Sequence, residues 1–212
     1  MIEEKFYVEE GSSSVGSAVN ENKKQVVLIG DSIREGYCEY VKEELKDIAD
    51  VYFPPVNCRN TQFIITSLRL WLNICDPEKV DVVHFNAGHW DIGHWSNIGD
   101  SLTTKKEYAK NITKIVKMIN LFFPNAKIMF ATTTPMNPNT PNVIINNRTT
   151  KEIMAYNKRA KKTCKKLNVP VNDLFELAIT WGEEMFKDYC HLVDDGYKLL
   201  AKQVSSEIKK LF

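Results

Sequence analysis

Three side chains in this sequence have the types and the placement for nucleophilic acyl chemistry. Ser32 follows "IGD" at the end of an apolar run, while Asp188 and His191 stand three residues apart in "KDYCHLVDDGYKLLA" near the other end. One turn suffices to bring the Asp188 carboxylate against Nδ1 of His191, leaving Nε2 free to take a proton from a serine hydroxyl. Gly30 permits a tight turn before Ser32. A helix starting there would aim its first N–H groups and its dipole at a developing negative charge. Each half has a plainer reading by itself. A serine before a helix is usually an N-cap, and an Asp-x-x-His pair often serves only a local turn.

A second cluster is "FNAGHWDIGHW", residues 85–95. His84, His89 and His94 recur every five residues, which matches neither the i, i+4 spacing of a helical zinc pair nor a compact turn site. The reading is therefore no metal, with His84 a buried, hydrogen-bonded strand residue. Trp90 and Trp95 suit the flat face of a sugar ring, and loop packing is the alternative for Trp95.

The elements that must position these residues follow from the apolar pattern. Short β-rich runs at 25–30, 50–53, 80–86, 126–134 and 169–172 predict strands covered on both faces. Amphipathic segments at roughly 36–48, 61–75, 104–122, 149–167 and 195–211 predict the helices between them. Such alternation implies right-handed crossovers, hence a three-layer α/β/α domain with a five-stranded parallel sheet. Ligands of open parallel sheets bind beyond the carboxyl ends of the strands. That edge should gather "GDSIREGY", "PPVNCRNT", "NAGHWDIGHW" and the Pro/Asn-rich loop at 132–147. Ser32 and the Asp188–His191 pair then meet at one edge of one sheet.

The 212 residues are enough for one sizeable core. The Gly/Ser-rich stretch 11–24 predicts an N-terminal arm or linker over 1–24, with the domain occupying 25–212. A net charge of +1 argues against nucleic-acid and membrane-surface partners. Five scattered cysteines show no disulfide framework. With no signal or membrane-spanning run, the chain reads as cytoplasmic. The oligomeric state and the role of 1–24 are not legible.

The blocks "IGDSIREGY" and "DYCHL…GY" resemble the first and last blocks of the SGNH (GDSL-like) hydrolases, serine esterases and lipases on a flavodoxin-like sheet. The resemblance spans roughly residues 25–212. It implies Ser32 as nucleophile, His191 as general base and Asp188 as the residue orienting the histidine, with no metal or organic cofactor. The middle blocks depart from the pattern. The family's second block offers a glycine N–H to the oxyanion. "PPVNCRNT" has no glycine, which leaves the N–H of Cys58 or Arg59, or the side chains of Asn57 or Asn60. The third block, usually Gly-x-Asn-Asp, reads Gly88-His89-Trp90-Asp91. The Trp90 indole can donate one hydrogen bond, and Asn86 at the strand end is the other candidate. Ser32, Cys58, Asn86 and Trp90 are thus the expected oxyanion donors, and Asp31, Asn57, Arg59, Asn60, His89 and Trp95 the expected substrate contacts.

The expected activity is hydrolysis of a carboxylic ester, with a short acyl group such as acetyl on a carbohydrate. No long apolar lid is visible for lipid aggregates. A thioesterase or lysophospholipase is the enzymatic alternative. A non-catalytic flavodoxin-like binding module is the alternative of another class, and it leaves the Asp188–His191 pair without a purpose.

Overall fold

The computed structural model describes residues 23–95, 99–140 and 146–212. Most of the expected N-terminal arm lies outside the described residues, and Lys24 already opens the first strand. Strands β1 (Lys24–Ile29), β2 (Ala49–Tyr52), β3 (Val82–Asn86), β4 (Lys127–Ala131) and β5 (Val171–Asn172) form one parallel sheet. Their spatial order is β2-β1-β3-β4-β5, the flavodoxin-like arrangement.

Alternate strand residues serve opposite layers, as the two-residue period of a strand requires. Val26, Leu28 and Val82 pack beneath α1 (Ser32–Leu45) and α7 (Asp194–Lys209), against Val41, Leu45, Leu200 and Val204. Val27, Ile29, Val83 and Phe85 face the other way, toward α2 (Thr61–Ser67), α4 (Lys105–Phe122) and α5 (Thr150–Lys166). Each such side chain contributes about 1.5–3 kcal/mol when buried. Two-sided burial also explains the apolar run Val26–Ile29 in β1 and the full burial of β3, where His84 and Asn86 are buried beside Val82, Val83 and Phe85.

Helix starts follow local capping chemistry. Asp31, Asn60 and Thr104 accept backbone N–H groups at the starts of α1, α2 and α4. Thr149 and Glu152 form a reciprocal capping box at α5.

Several boundaries differ from the sequence reading. The helix expected over 61–75 changes at Ser67 into a 3₁₀ segment, Leu68–Ile74. Its buried residues Leu68 and Trp71 are three apart, a spacing that eclipses on a 3₁₀ helix. Strand β4 stops at Ala131, although the Thr132 N–H still reaches the Asn172 carbonyl, and the Thr132 hydroxyl ties the strand end to Asp173 and the Phe175 N–H. Two short helices, α3 (His89–Ile92) and α6 (Leu174–Ala178), are too short to show a period in the sequence. Residues 132–140 contain no regular element, as expected, and 141–145 lie outside the described residues. Among the described residues no helix is long and apolar enough to cross a membrane.

Candidate active site

The carboxyl ends of β1, β3 and β4 and the turn before α7 bring the candidate residues together. Ser32 is the first residue of α1, so its N–H belongs to the first-turn donors that have no intrahelical acceptor. Gly30 has to be small here, since a Cβ would lie 1.9 Å from Oδ1 of Asn86. Nε2 of His191 lies 2.8 Å from Oγ of Ser32, and Nδ1 lies 2.7 Å from Oδ2 of Asp188. Oδ1 of Asp188 accepts the backbone N–H groups of Cys190 (2.9 Å) and His191 (2.8 Å). Burial pushes the Asp188 carboxyl upward, but these two N–H groups and the His191 ring outweigh it and hold the carboxyl below the ordinary range. Asp188 is therefore ionised and its Oδ2 accepts the Nδ1–H of His191, which leaves Nε2 as the proton acceptor facing Ser32.

The turn carrying Asp188 is braced from two sides. A bridge between Phe186 and Leu192 and a bond from Lys187 N–H to the His191 carbonyl close its base. Asn137, in the loop after β4, donates its N–H to the Tyr189 carbonyl (3.0 Å) and its amide to the Asp188 carbonyl (3.1 Å). Behind the turn lies Arg148, 5% exposed. It donates from Nε to Nδ1 of His89 (3.0 Å) and from Nη2 to Sγ of Cys190 (3.2 Å). Neither Asn137 nor Arg148 was signalled by the sequence, because an isolated asparagine or arginine in a loop reads as solvated.

Asp188, Cys190 and His191 place three possible metal ligands within 4.8 Å of one another. Burial pushes the Cys190 thiol up to about 12, so it remains protonated. The Arg148 cation beside it opposes a second cation, and Nδ1 of His191 is engaged by Asp188.

Three expected roles, those of Cys58, Asp31 and His89, need correction, and the Asn86 amide is partly engaged. The Cys58 N–H donates to the Gly30 carbonyl at 3.0 Å, where it ties the second block to the turn before Ser32, and so is not free for an oxyanion. Asn86 is buried and uses one N–H of its amide on Oδ1 of Asp31 at 2.9 Å, which leaves the second N–H without a partner among the described residues. Asp31 is fully buried and caps Ile33, so it supports Ser32 and does not line a pocket. His89 is 1% exposed, with Nδ1 accepting from Arg148 and Nε2 donating to Thr134 (3.1 Å). Burial, with the Arg148 charge, holds this imidazole well below its ordinary range, so it is a neutral link in the core.

The remaining expected residues gather on one side. Arg59 has the left-handed backbone (φ +49°) that a glycine would adopt without strain. Its N–H donates to Oδ1 of Asn57, whose amide in turn donates to Glu35. The Arg59 guanidinium lies 4.9 Å from the centre of the Phe63 ring and 5.8 Å from that of Trp90. Trp90 and Trp95 pack with centroids 4.9 Å apart, and Nε1 of Trp95 donates to the Trp90 carbonyl. Arg59, Asn60, Phe63, Trp90 and Trp95 line an open cavity of about 390 Å³, and Asn57 stands outside that lining. The Trp90 N–H has no partner among the described residues. Asp91, buried after Trp90, accepts the N–H and hydroxyl of Thr61 (3.0 and 2.6 Å) and so locks the second block to the third.

Several solved structures share this fold. One is an acetyl xylan esterase, AlAXEase, with a TM-score of 0.70 at 18% identity, covering 87% of this chain and 99% of that one. A lipase/acylhydrolase from Enterococcus faecalis has a TM-score of 0.72 at 22% identity, covering 88% and 96%. A carbohydrate acetylesterase family member from Sinorhizobium meliloti has a TM-score of 0.68 at 16% identity, covering 89% and 98%. No curated protein sequence matches the chain. The model of the GDSL-like lipase/acylhydrolase family matches residues 28–199, a span that includes the Ser32 turn, both middle blocks and the His191 turn. The chain belongs to the GDSL-like lipase/acylhydrolase family.

Proposed function

We propose that this acylhydrolase cleaves a short-chain carboxylic ester, acetyl foremost, on a carbohydrate, with Ser32, His191 and Asp188 as its triad. The observation that carries the reading is the continuous hydrogen-bonded chain from Ser32 Oγ through His191 to Asp188. In the first half-reaction Oγ of Ser32 attacks the acyl carbon while Nε2 of His191 takes its proton. The tetrahedral oxyanion rests on the Ser32 N–H at the start of α1, with the Trp90 indole N–H as a second donor. His191 then protonates the departing sugar hydroxyl. Water enters, gives its proton to His191, attacks the acyl-enzyme and releases the acid, and the proton returns to Ser32. Asp188 keeps the imidazole in the productive tautomer throughout.

The sugar reading rests on the aromatic wall. Trp90 and Trp95 border a cavity large enough for a small ligand, and aromatic faces pack well on sugar rings. The acetyl xylan esterase and the carbohydrate acetylesterase family member of the same fold lie in that direction.

Ser32→Ala and His191→Ala test the triad. Each is expected to lower turnover of acetyl esters by several orders of magnitude, and the double variant should lose little more, because the residues act as a unit. A fluorophosphonate probe should label the wild type at Ser32. A folded Ser32→Ala protein that keeps more than about a tenth of the activity, a barrier change under about 1.4 kcal/mol, would remove Ser32 as nucleophile.

A further inference from the structure

We infer that the cavity lined by Arg59, Trp90 and Trp95 selects a substrate carrying a carboxylate, an acylated acidic sugar, and that Arg59 is the residue that reads it. This inference rests on the esterase reading for its reaction, but the subsite has a physical basis of its own.

Arg59 makes no ion pair and no side-chain hydrogen bond among the described residues. An arginine with nothing to bind usually trails into water. Here the guanidinium instead lies over the rings of Phe63 and Trp90, whose faces attract a cation. Its backbone is held left-handed, an unfavourable conformation for a residue with a Cβ. The ring contacts hold the guanidinium at the cavity wall without using its N–H groups, which leaves them for two parallel bonds to a carboxylate.

The other polar groups of the cavity point to the same ligand charge. Oδ1 of Asn60 accepts the Phe63 N–H (2.8 Å), which orients the amide and leaves Nδ2 without a partner among the described residues. Oε1 of Gln62 accepts the Thr103 hydroxyl (3.0 Å), leaving its Nε2 as donor. No acidic side chain is among the described residues lining the cavity. The lining thus presents two amide donors and one cation. Among the described residues its one free side-chain acceptor is the hydroxyl oxygen of Thr66, which itself donates to the Gln62 and Phe63 carbonyls. A neutral sugar needs both donors and acceptors, whereas a carboxylate needs donors only.

The subsite is also tied to the catalytic turn. Cys58 bonds to the Gly30 carbonyl and Asn57 bonds to Glu35 on α1, so the loop carrying Arg59 is anchored on both sides of Ser32. A carboxylate held by Arg59 would therefore orient the rest of the sugar relative to the nucleophile.

The experiment compares an O-acetylated methyl glucuronide with the equivalent O-acetylated methyl glucoside. Wild type should favour the glucuronide in kcat/KM by at least about tenfold. Arg59→Asn should bring that ratio close to unity, mainly through KM, since asparagine tolerates the left-handed backbone and removes the cation. Arg59→Lys keeps the charge without the fork and should restore part of the ratio. A wild type with no preference, or a preference unmoved by Arg59→Asn and Arg59→Lys, overturns the inference. If neither ester is hydrolysed, the esterase reading fails separately. Calorimetric titration of the Ser32→Ala protein with methyl glucuronide then decides the subsite alone. Binding that Arg59→Asn abolishes upholds it, and no binding overturns it.

Discussion

Trp90 stands where the family's third block has an asparagine, and what replaces that amide decides how the oxyanion is held. Asn86, the other candidate, is buried and donates to Asp31. The Trp90 indole N–H has no partner among the described residues and sits on the half-buried wall of the cavity. Trp90→Phe keeps the aromatic face and removes only the donor. A donor that acts mainly in the transition state should then show as a fall in kcat of about a hundredfold on a small activated ester, with KM little changed. An unchanged kcat with a raised KM would leave Trp90 as a wall and nothing more. The neighbours of Trp90 show where sequence reasoning stops. The approach of Ser32, Asp188 and His191 to one another was legible because acyl chemistry dictates such types and the topology brings them to one edge. His89 was expected beside Trp90 in the pocket. Successive helical residues point about 100° apart, so on α3 one faces the cavity and the other faces Arg148. A residue's direction on a four-residue helix cannot be read from types alone, and buried arginines such as Arg148 are rare enough to be read as solvated.

The N-terminus of α5 ties the loop that carries Trp95 to the body of the domain. His94 pairs with Asn147 in an isolated bridge, its Nε2 lies 2.7 Å from Oε1 of Glu152, and its Nδ1 lies 3.0 Å from the Gly99 carbonyl. The Gly99 carbonyl and then Glu152 raise the imidazole above its ordinary 6.5. Burial works against Glu152, but hydrogen bonds from Thr149 and His94 outweigh it and lower this carboxyl. A histidine raised in the folded state binds its proton more tightly there than in the unfolded chain. The pair's contribution is therefore complete between about pH 4.5 and 6.5, is lost as the pH rises through the folded value of His94, and is lost again as it falls through the lowered value of Glu152. Glu152→Gln keeps the capping box and removes the charge. Its cost should be about 1 kcal/mol or less, reduced by solvent screening, and larger near pH 6 than near pH 8.5. Urea midpoints at the two pH values measure it, and equal costs would reduce the pair to a neutral contact. The helix itself was readable, since Thr149 and Glu152 flank an amphipathic run. Its link to His94 was not, because a contact across 58 residues leaves no local pattern.

Across the whole molecule, buried neutral imidazoles connect the layers and set the response to acid. Gln203 on α7 donates to Oδ1 of Asn172 on β5 (2.8 Å), which fixes that amide so that its Nδ2 donates to Nε2 of His84 on β3 (3.2 Å). This chain runs from helix layer to sheet and works only while the His84 Nε2 is an acceptor. With Nε2 accepting, the neutral ring carries its hydrogen on Nδ1, which is buried without a partner among the described residues. A second proton on Nε2 would face the Asn172 donor and charge a ring with nothing to accept from it. Burial accordingly lowers the imidazole to about 3, against 6.5 for an ordinary histidine. Between those values the unfolded chain binds a proton that the folded chain refuses. The stability this group contributes is present above about pH 6.5 and falls by about 1.4 kcal/mol for each pH unit below it. Asp31 and Asp91 act in the opposite sense, because burial raises both carboxyls, Asp91 to about 6, and the folded state then holds their protons longer. Comparison of the wild type with His84→Gln removes these opposing terms, which both proteins share. Near neutral pH the replacement should destabilise through imperfect packing and a disturbed Asn172 bond. Near pH 5 the wild type alone has lost about 2 kcal/mol to its histidine, so the gap in urea midpoints should narrow by a corresponding amount. A gap of equal size at both pH values would mean that His84 does not titrate differently on unfolding, and the acid sensitivity of this fold would have to come from the other groups.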